Sequence, residues 1–169
     1  DHPVVHVSLQ DALAYCDWAK VKLPTETQWE YAARGGTTTQ FPWGDELEQD
    51  GEFHANTWQG DFPNTNTKAD GYLGTAPVKS FEPNGYGLYQ MIGNVWEWCC
   101  NHRGIPFEEI EEDASCPINF EYEYAIRGGS FLCHCSYCNR YRVAARNGAS
   151  WDSTSSHLGF RCVRNLGGR

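Results

Sequence analysis

Residues 37–84 of this chain show no sustained hydrophobic period; Gly, Pro, Asn and aromatic residues alternate along them. A stretch of that length without regular structure is unusual in a compact domain unless something ties it down, and bound metal ions are one candidate. Regular structure is therefore predicted mainly on its flanks. Before it, Ser8 can cap a helix with Asp11 three residues on, and Leu9, Leu13 and Cys16 recur at i, i+4 and i+7, which turns Cys16 toward the core. Thr25-Glu26-Thr27-Gln28 reads as a second capping box, opening a helix with Trp29 and Ala33 on one face and a stop at Gly35-Gly36. After it, short strands are predicted at 94–98, at 124–132 with an interruption at Gly128-Gly129, at 141–146 and at 158–163. Residues 108–123 read as an acidic, solvated connector. The expected fold class is mixed α/β (α+β) with little regular secondary structure, built as a single domain over residues 1–169.

The charge is uneven. The net formal charge is −9, yet from Arg127 onward seven Arg face one acid, Asp152. The expectation is structural pairing of these arginines with the acidic remainder of the chain. An acidic chain repels phosphates overall, which argues against a nucleic-acid partner. No apolar run approaches the roughly 18 residues of a membrane span. Gly85 and Gly87 lack the third glycine and following helix of a dinucleotide fingerprint.

Eight cysteines point to disulfides in an oxidising setting, to metal ligation, or to both. The segment Cys133-His134-Cys135-Ser136-Tyr137-Cys138 concentrates them. Thiolates are soft ligands suited to copper(I), zinc or iron–sulfur chemistry. In a straight strand residues 133 and 138 would face opposite ways, so a shared ligand requires a turn or bulge between them. Three other readings stand beside a soft-metal pair. One is a structural zinc site built from Cys133, His134, Cys135 and Cys138 with Cys99 and Cys100, although the spacing departs from paired knuckles. The others are a structural Cys133–Cys138 disulfide and simple buried cysteine.

The motifs together resemble one family. Arg127-Gly128-Gly129-Ser130-Phe131-Leu132-Cys133-His134, then Ser136-Tyr137-Cys138, Arg140-Tyr141-Arg142 and Ala144-Ala145-Arg146, are similar to the active-site segment of formylglycine-generating enzymes, the sulfatase-modifying factors. So are Leu23-Pro24-Thr25-Glu26, Phe41-Pro42-Trp43-Gly44, Asn84-Gly85-Tyr86-Gly87-Leu88-Tyr89, Gly93-Asn94 with Trp96-Glu97-Trp98, and Gly159-Phe160-Arg161-Cys162. The resemblance implies the formylglycine-generating-enzyme, C-type-lectin-like fold. It implies an oxidoreductase that uses O₂ to convert the cysteine of a Cys-x-Pro-x-Arg motif in unfolded sulfatases to Cα-formylglycine. Copper(I) would sit between Cys133 and Cys138, with Ser130, Tyr137 and Trp96 lining the pocket. It further implies one Ca²⁺ held by Asn56, Thr57, Asp70 and Tyr72 and a second held by Gln90, Gly93, Val95 and Glu97, where Gln90 replaces the usual Asn. Oxygen donors on loops are the right hard ligands for that ion, and they would account for an ordered 37–84.

The same resemblance pairs Cys16 with Cys162 in a disulfide, while Ala33 and Val143 stand where a second family disulfide would be. Cys135 departs from the pattern, taking a position where relatives often carry Arg. The family's N-terminal portion has no counterpart in residues 1–169. The family and the disulfide favour the endoplasmic-reticulum lumen or a secreted, extracytoplasmic setting. The rival function is a non-enzymatic ligand- or protein-binding module on the same fold.

Overall fold

The computed structural model describes residues 1–111 and 116–164. Helix α1 spans Leu9–Ala19 and α2 spans Glu26–Arg34. Both begin with the predicted capping boxes: Ser8 and Asp11 exchange side-chain and backbone bonds, as do Thr25 and Gln28. Gly35 then ends α2 in the left-handed region at φ 58°. Asn84 finishes that terminus from far along the chain, its Nδ2 donating to the carbonyls of Ala32 (2.7 Å) and Ala33 (3.1 Å).

Two small hairpins interrupt the aperiodic stretch: β1 (Glu48–Gln49) with β2 (Glu52–Phe53), and β3 (Gly60–Asp61) with β4 (Thr65–Asn66). The main sheet holds β5 (Trp96–His102), β6 (Glu123–Arg127), β7 (Asn147–Ser150) and β8 (Leu158–Gly159) in the order β7-β6-β5-β8. Its pairs are antiparallel except β5 with β8, which is parallel. Helix α2 packs on β5 and β6. Leu9, Trp29, Ala33, Trp98, Ala125 and Val143 lie in one buried cluster at that junction.

The strand expected at 141–146 is a turn instead, and the ladder starts only at Asn147. The reason is a competing bond: the buried Arg127 Nη2 takes the Val143 carbonyl at 2.7 Å, and Val143 N–H donates to Gln40. The predicted strand 124–132 stops at Arg127 because Gly128 and Gly129 turn away with φ 92° and 76°. A Cβ on Gly129 would sit 2.7 Å from Tyr141 Cβ, so that turn is reserved for glycine. The strand foreseen at 94–98 is displaced to Trp96–His102. Of the predicted strand 158–163 only Leu158–Gly159 pairs with β5, and Val163 bridges to Lys22.

The arginines do find acids. Arg127, fully buried, binds Glu26 (3.0 Å) and Glu30 (2.5 Å); Arg146 binds Glu26 (2.6 Å), and Arg161 binds Glu97 (2.6 Å). Burial pushes the Glu26 carboxyl up, but bonds from Arg146, Asn101 and Arg127 outweigh it and hold it below its ordinary value. The acidic connector is only partly solvated. Ile110 is buried, and Cys116 and Ile118 pack against the core; residues 112–115 of that expectation lie outside the described residues.

Candidate active site

The loop that follows β6 carries the site. Cys133 N–H donates to the Ser130 carbonyl (2.9 Å), and Tyr137 and Cys138 N–H both donate to the His134 carbonyl (3.1 and 2.8 Å). The chain therefore coils between residues 133 and 138, which is the turn that a shared site requires. The two sulfurs lie 2.9 Å apart. Three anchors fix the coil: Phe131 N–H to the Asn94 carbonyl (3.0 Å), Trp58 N–H to the Cys133 carbonyl (3.0 Å), and Gly93 N–H to the Gly128 carbonyl (2.9 Å). Gly93 is needed there, since its φ is 75° and a Cβ would lie 2.4 Å from the Asn56 carbonyl oxygen. The Gly-Asn motif thus serves the loop by geometry.

The pair is asymmetric. Cys133 is buried and Cys138 half-buried. The hydrogen bond with Cys138 and burial push the Cys133 thiol up. Cys138 is drawn down to about 7, first by the hydrogen bond that Cys133 donates and then by the nearby Arg140 charge, against the cost of burial. As pH rises through about 7 the pair gives up one proton from the Cys138 side, while Cys133 keeps its own.

Ser130, wholly buried, has its Oγ 3.9 Å from Cys133 Sγ and 2.8 Å from His157 Nδ1, and it accepts from Leu132 N–H at 3.3 Å. Burial pushes His157 down from its ordinary value, favouring the neutral ring. The sequence reading missed His157; its only signal was its place just before Leu158-Gly159-Phe160-Arg161. Tyr137 is 77% exposed and stacks on Phe62 with centroids 5.1 Å apart. His134 stacks on the same ring at 6.1 Å, so Phe62 is a second residue missed. Trp96 is a core residue on β5, joined to the site through its N–H bond to the His157 carbonyl at 2.8 Å.

Cys135 is exposed, with its sulfur 3.8 Å from His134 Nε2. Among the described residues no group of three or more His, Cys, Asp or Glu side chains could hold a metal ion, so the alternative reading of a structural zinc site has no ligand set. Cys16 and Cys162 are neighbours at 3.8 Å between sulfurs, beyond the roughly 2.05 Å of a disulfide bond, and both are free thiols. The family pairing is met by proximity and not by a bond.

Around the first expected calcium group, Asp70 is tied to Thr57 and Tyr72 by their backbone N–H groups (3.0 and 2.9 Å), while Gln59 Nε2 bridges Asp70 and the Thr57 carbonyl. Asn56 donates to the Gly74 carbonyl at 2.8 Å, but its buried Oδ1 has no partner. An unpartnered buried amide oxygen suits a hard cation, while the Asp70 carboxylate and the Thr57 carbonyl are engaged by the Gln59 amide. Residues Gln90, Gly93, Val95 and Glu97 line one cleft with Lys79 and Arg161. Gln90 Oε1 is also unpartnered. Glu97, however, already accepts from both Arg161 nitrogens (2.6 and 2.7 Å) and from Trp29 Nε1 (2.7 Å). Its charge is matched by a guanidinium, so this group fits a cation less well than the first.

Residues 1–166 match the family described as Sulfatase-modifying factor enzyme 1-like domain. The chain belongs to that family. It is 53% identical over 168 residues to a formylglycine-generating enzyme of Streptomyces coelicolor, covering 98% of this chain and 53% of that protein. It is 41% identical over 171 residues to the inactive Cα-formylglycine-generating enzyme 2 of Bos taurus, covering 99% of this chain and 52% of that one. The chain therefore spans about half the length of the curated relatives it matches. The structure of PvdO from Pseudomonas aeruginosa superposes with a TM-score of 0.76 at 28% identity, over 94% of this chain and 60% of that one. The sulfatase-modifying, C-type-lectin-like architecture is thus present here.

Proposed function

We propose that this chain oxidises the cysteine of a Cys-x-Pro-x-Arg motif in an unfolded sulfatase to Cα-formylglycine, with O₂ as acceptor and copper(I) held by Cys133 and Cys138. The observation that carries the reading is the thiol pair: two sulfurs 2.9 Å apart, charged singly above about pH 7 and set in a coil whose Cys138 side is partly open. Two thiolates suit a soft cation and leave it an open position, as a catalytic site needs. Bound copper(I) would supply the redox chemistry with O₂.

The remaining roles fall to the chain. Cys133 and Cys138 would hold the metal from one turn, whose backbone hydrogen bonds and anchors set their separation. Ser130 stands beside Cys133 with its hydroxyl oriented by His157 and Leu132. The exposed faces of Tyr137 and Phe62 offer an apolar shelf beside the pair for an extended peptide. Ca²⁺ at Asn56, Thr57, Asp70 and Tyr72 would occupy the unpartnered Asn56 Oδ1 and stiffen the loop that donates Trp58 N–H to the site. A second Ca²⁺ at Gln90, Gly93, Val95 and Glu97 would share the carboxylate with Arg161. The reading includes an oxidising setting, the endoplasmic-reticulum lumen or an extracytoplasmic space, where Cys16 and Cys162 can close their bond.

The test is direct. Reduced, copper(I)-loaded protein is incubated with a Cys-x-Pro-x-Arg peptide and O₂, and the aldehyde is sought by mass spectrometry after hydrazide capture. Its appearance supports the reading, and its absence from intact, copper-loaded protein sinks it. In that event the second reading is a binding module on the same fold, and a relative named inactive shows that the family is not confined to enzymes. Retained binding of the peptide without oxidation would identify it.

A further inference from the structure

A second group of thiols lies away from the site. On β5, Cys99 and Cys100 are adjacent buried thiols in the stretch where the ladder with β6 shifts register. Cys99 is wholly enclosed, with Arg127, Glu26 and Glu97 as its charged neighbours. At Cys100, Cys116 returns from the acidic connector and brings its sulfur to 3.0 Å from the Cys100 carbonyl oxygen. The connector is held at that point by its own bonds. Tyr124 of β6 donates its hydroxyl to the Pro117 carbonyl (2.6 Å) and accepts from Asn119 N–H (2.8 Å), which pins the backbone just beyond Cys116. Cys100 is pinned in turn by its N–H bond to the Pro24 carbonyl at 2.8 Å. The Cys116 sulfur is thereby held against the backbone of Cys100, and nothing in the thiol pair at 133 and 138 uses either residue.

We propose that Cys100 and Cys116 close a disulfide under oxidising conditions, fastening the acidic connector to the central strand β5. The pair is electrostatically prepared for this. The Cys116 thiol, donating to it, holds Cys100 below the ordinary thiol value, with Lys22 adding to the effect, while the same bond and burial push Cys116 up. One sulfur is thus the better nucleophile and the other carries the proton. The chemistry balances with a low-molecular-weight disulfide such as glutathione disulfide. The two thiols give up two protons and two electrons, one S–S bond forms between them, and one glutathione disulfide is reduced to two thiols. The bond would add to the hold of Tyr124 on the connector, whose approach is already fixed where Arg146 binds the carbonyls of Arg103 (3.3 Å) and Ile105 (2.9 Å).

The experiment uses the full chain and does not depend on any activity toward sulfatases. Protein is equilibrated in buffers from reduced to oxidised glutathione, quenched with N-ethylmaleimide, digested without reduction and read by mass spectrometry. The expected result is a Cys100–Cys116 cross-link that appears in oxidised and vanishes in reduced buffer, with fragmentation between Cys99 and Cys100 assigning the bridge. Thermal melting gives the second measurement. Oxidised wild type should melt about 6–12 °C above oxidised Cys116→Ser, the shift expected for closing so short a loop; in reduced buffer the two should coincide. Alkylation of both Cys100 and Cys116 in a sample whose Cys16 and Cys162 are joined would overturn the proposal. So would a bridge from Cys116 to a different sulfur, or a melting difference of the same size in both buffers, which would mark a packing role alone.

Discussion

Two pairs of neighbouring sulfurs in this molecule look alike at first sight and differ in every property that decides their chemistry. Cys133 and Cys138 are five residues apart in sequence, with sulfurs at 2.9 Å. Cys16 and Cys162 are 146 residues apart, with sulfurs at 3.8 Å. In the first pair a donated hydrogen bond and Arg140 draw Cys138 down to about 7. In the second, burial and the neighbouring Cys162 push Cys16 up to about 12, and burial raises Cys162 as well. A turn on a loop can place a cation and a donor around a sulfur. A helix face against a terminal segment offers mainly apolar wall. The first pair is therefore equipped to bind or react, while the second is inert until an oxidant joins it.

The largest difference should appear on truncation. Cys133→Ala or Cys138→Ala should reduce aldehyde formation to the uncatalysed level and weaken copper(I) binding by more than ~100-fold, the upper range for merely supporting partners of a metal. Cys16→Ala in reducing buffer should leave both within about threefold, since no bond is lost and the site is untouched. Equal losses in the two variants, measured by copper(I) competition and peptide oxidation, would erase the contrast.

Oxidation should separate the pairs in the opposite sense. Closing Cys16–Cys162 shuts almost the whole chain into one loop and would contribute roughly 4–5 kcal/mol in the chain-entropy account, whereas closing Cys133–Cys138 would contribute about 2 kcal/mol. Denaturant titration of Cys16→Ser against wild type, in oxidised and reduced buffers, measures the stabilisation from the long loop. The small gain available to the short loop leaves that pair free for chemistry.

Alkylation rates follow next. At pH 7.5 Cys138 should react with iodoacetamide roughly 100-fold faster than Cys16, because its larger thiolate fraction outweighs the weaker nucleophilicity of a low-pKa sulfur. The rate at Cys138 should rise with pH through about 7, where the thiol loses its proton. In Cys133→Ala, where the donor is gone, the midpoint should move up toward the ordinary value of about 8.5. An unmoved midpoint would show that Arg140 alone sets it.

How much of this is legible in the sequence depends on distance along the chain. Ser8 and Thr25 announce their helices because a capping box is complete within four residues. Spacing alone calls for the 133–138 turn, and the family resemblance supplies its proposed metal. The 141–146 turn is hidden, because the bond that prevents a ladder comes from Arg127, sixteen residues away. Metal ions are the sequence's candidate for ordering 37–84, yet Asn94 and Asp70 supply much of that order through protein bonds: Asn94 clasps Ala76 at both N–H and carbonyl, and Asp70 gathers Thr57, Gln59 and Tyr72. The meeting of Cys100 with Cys116 is equally hidden, because only the folded connector brings the two together.

The smallest expected effect tests whether the 133–138 pair has a polar support that the other pair lacks. His157 meets Ser130 from twenty-seven residues away, Nδ1 to Oγ at 2.8 Å. With the neutral ring protonated at Nε2, Nδ1 accepts the hydroxyl proton of Ser130, whose oxygen accepts in turn from Leu132 N–H. Removing that acceptor frees the hydroxyl to rotate, at a cost near one hydrogen bond, about 1 kcal/mol. His157→Ala should therefore lower kcat for peptide oxidation about five- to tenfold and leave KM and copper(I) affinity nearly unchanged. His157→Asn, whose short amide can meet Ser130 again, should recover most of the loss. If alanine and asparagine are equally impaired, the ring matters for its contact with Phe131. If neither is impaired, Ser130 is held well enough by Leu132 and its own burial, and the contrast between the two sulfur pairs rests on Cys138 and its charge alone.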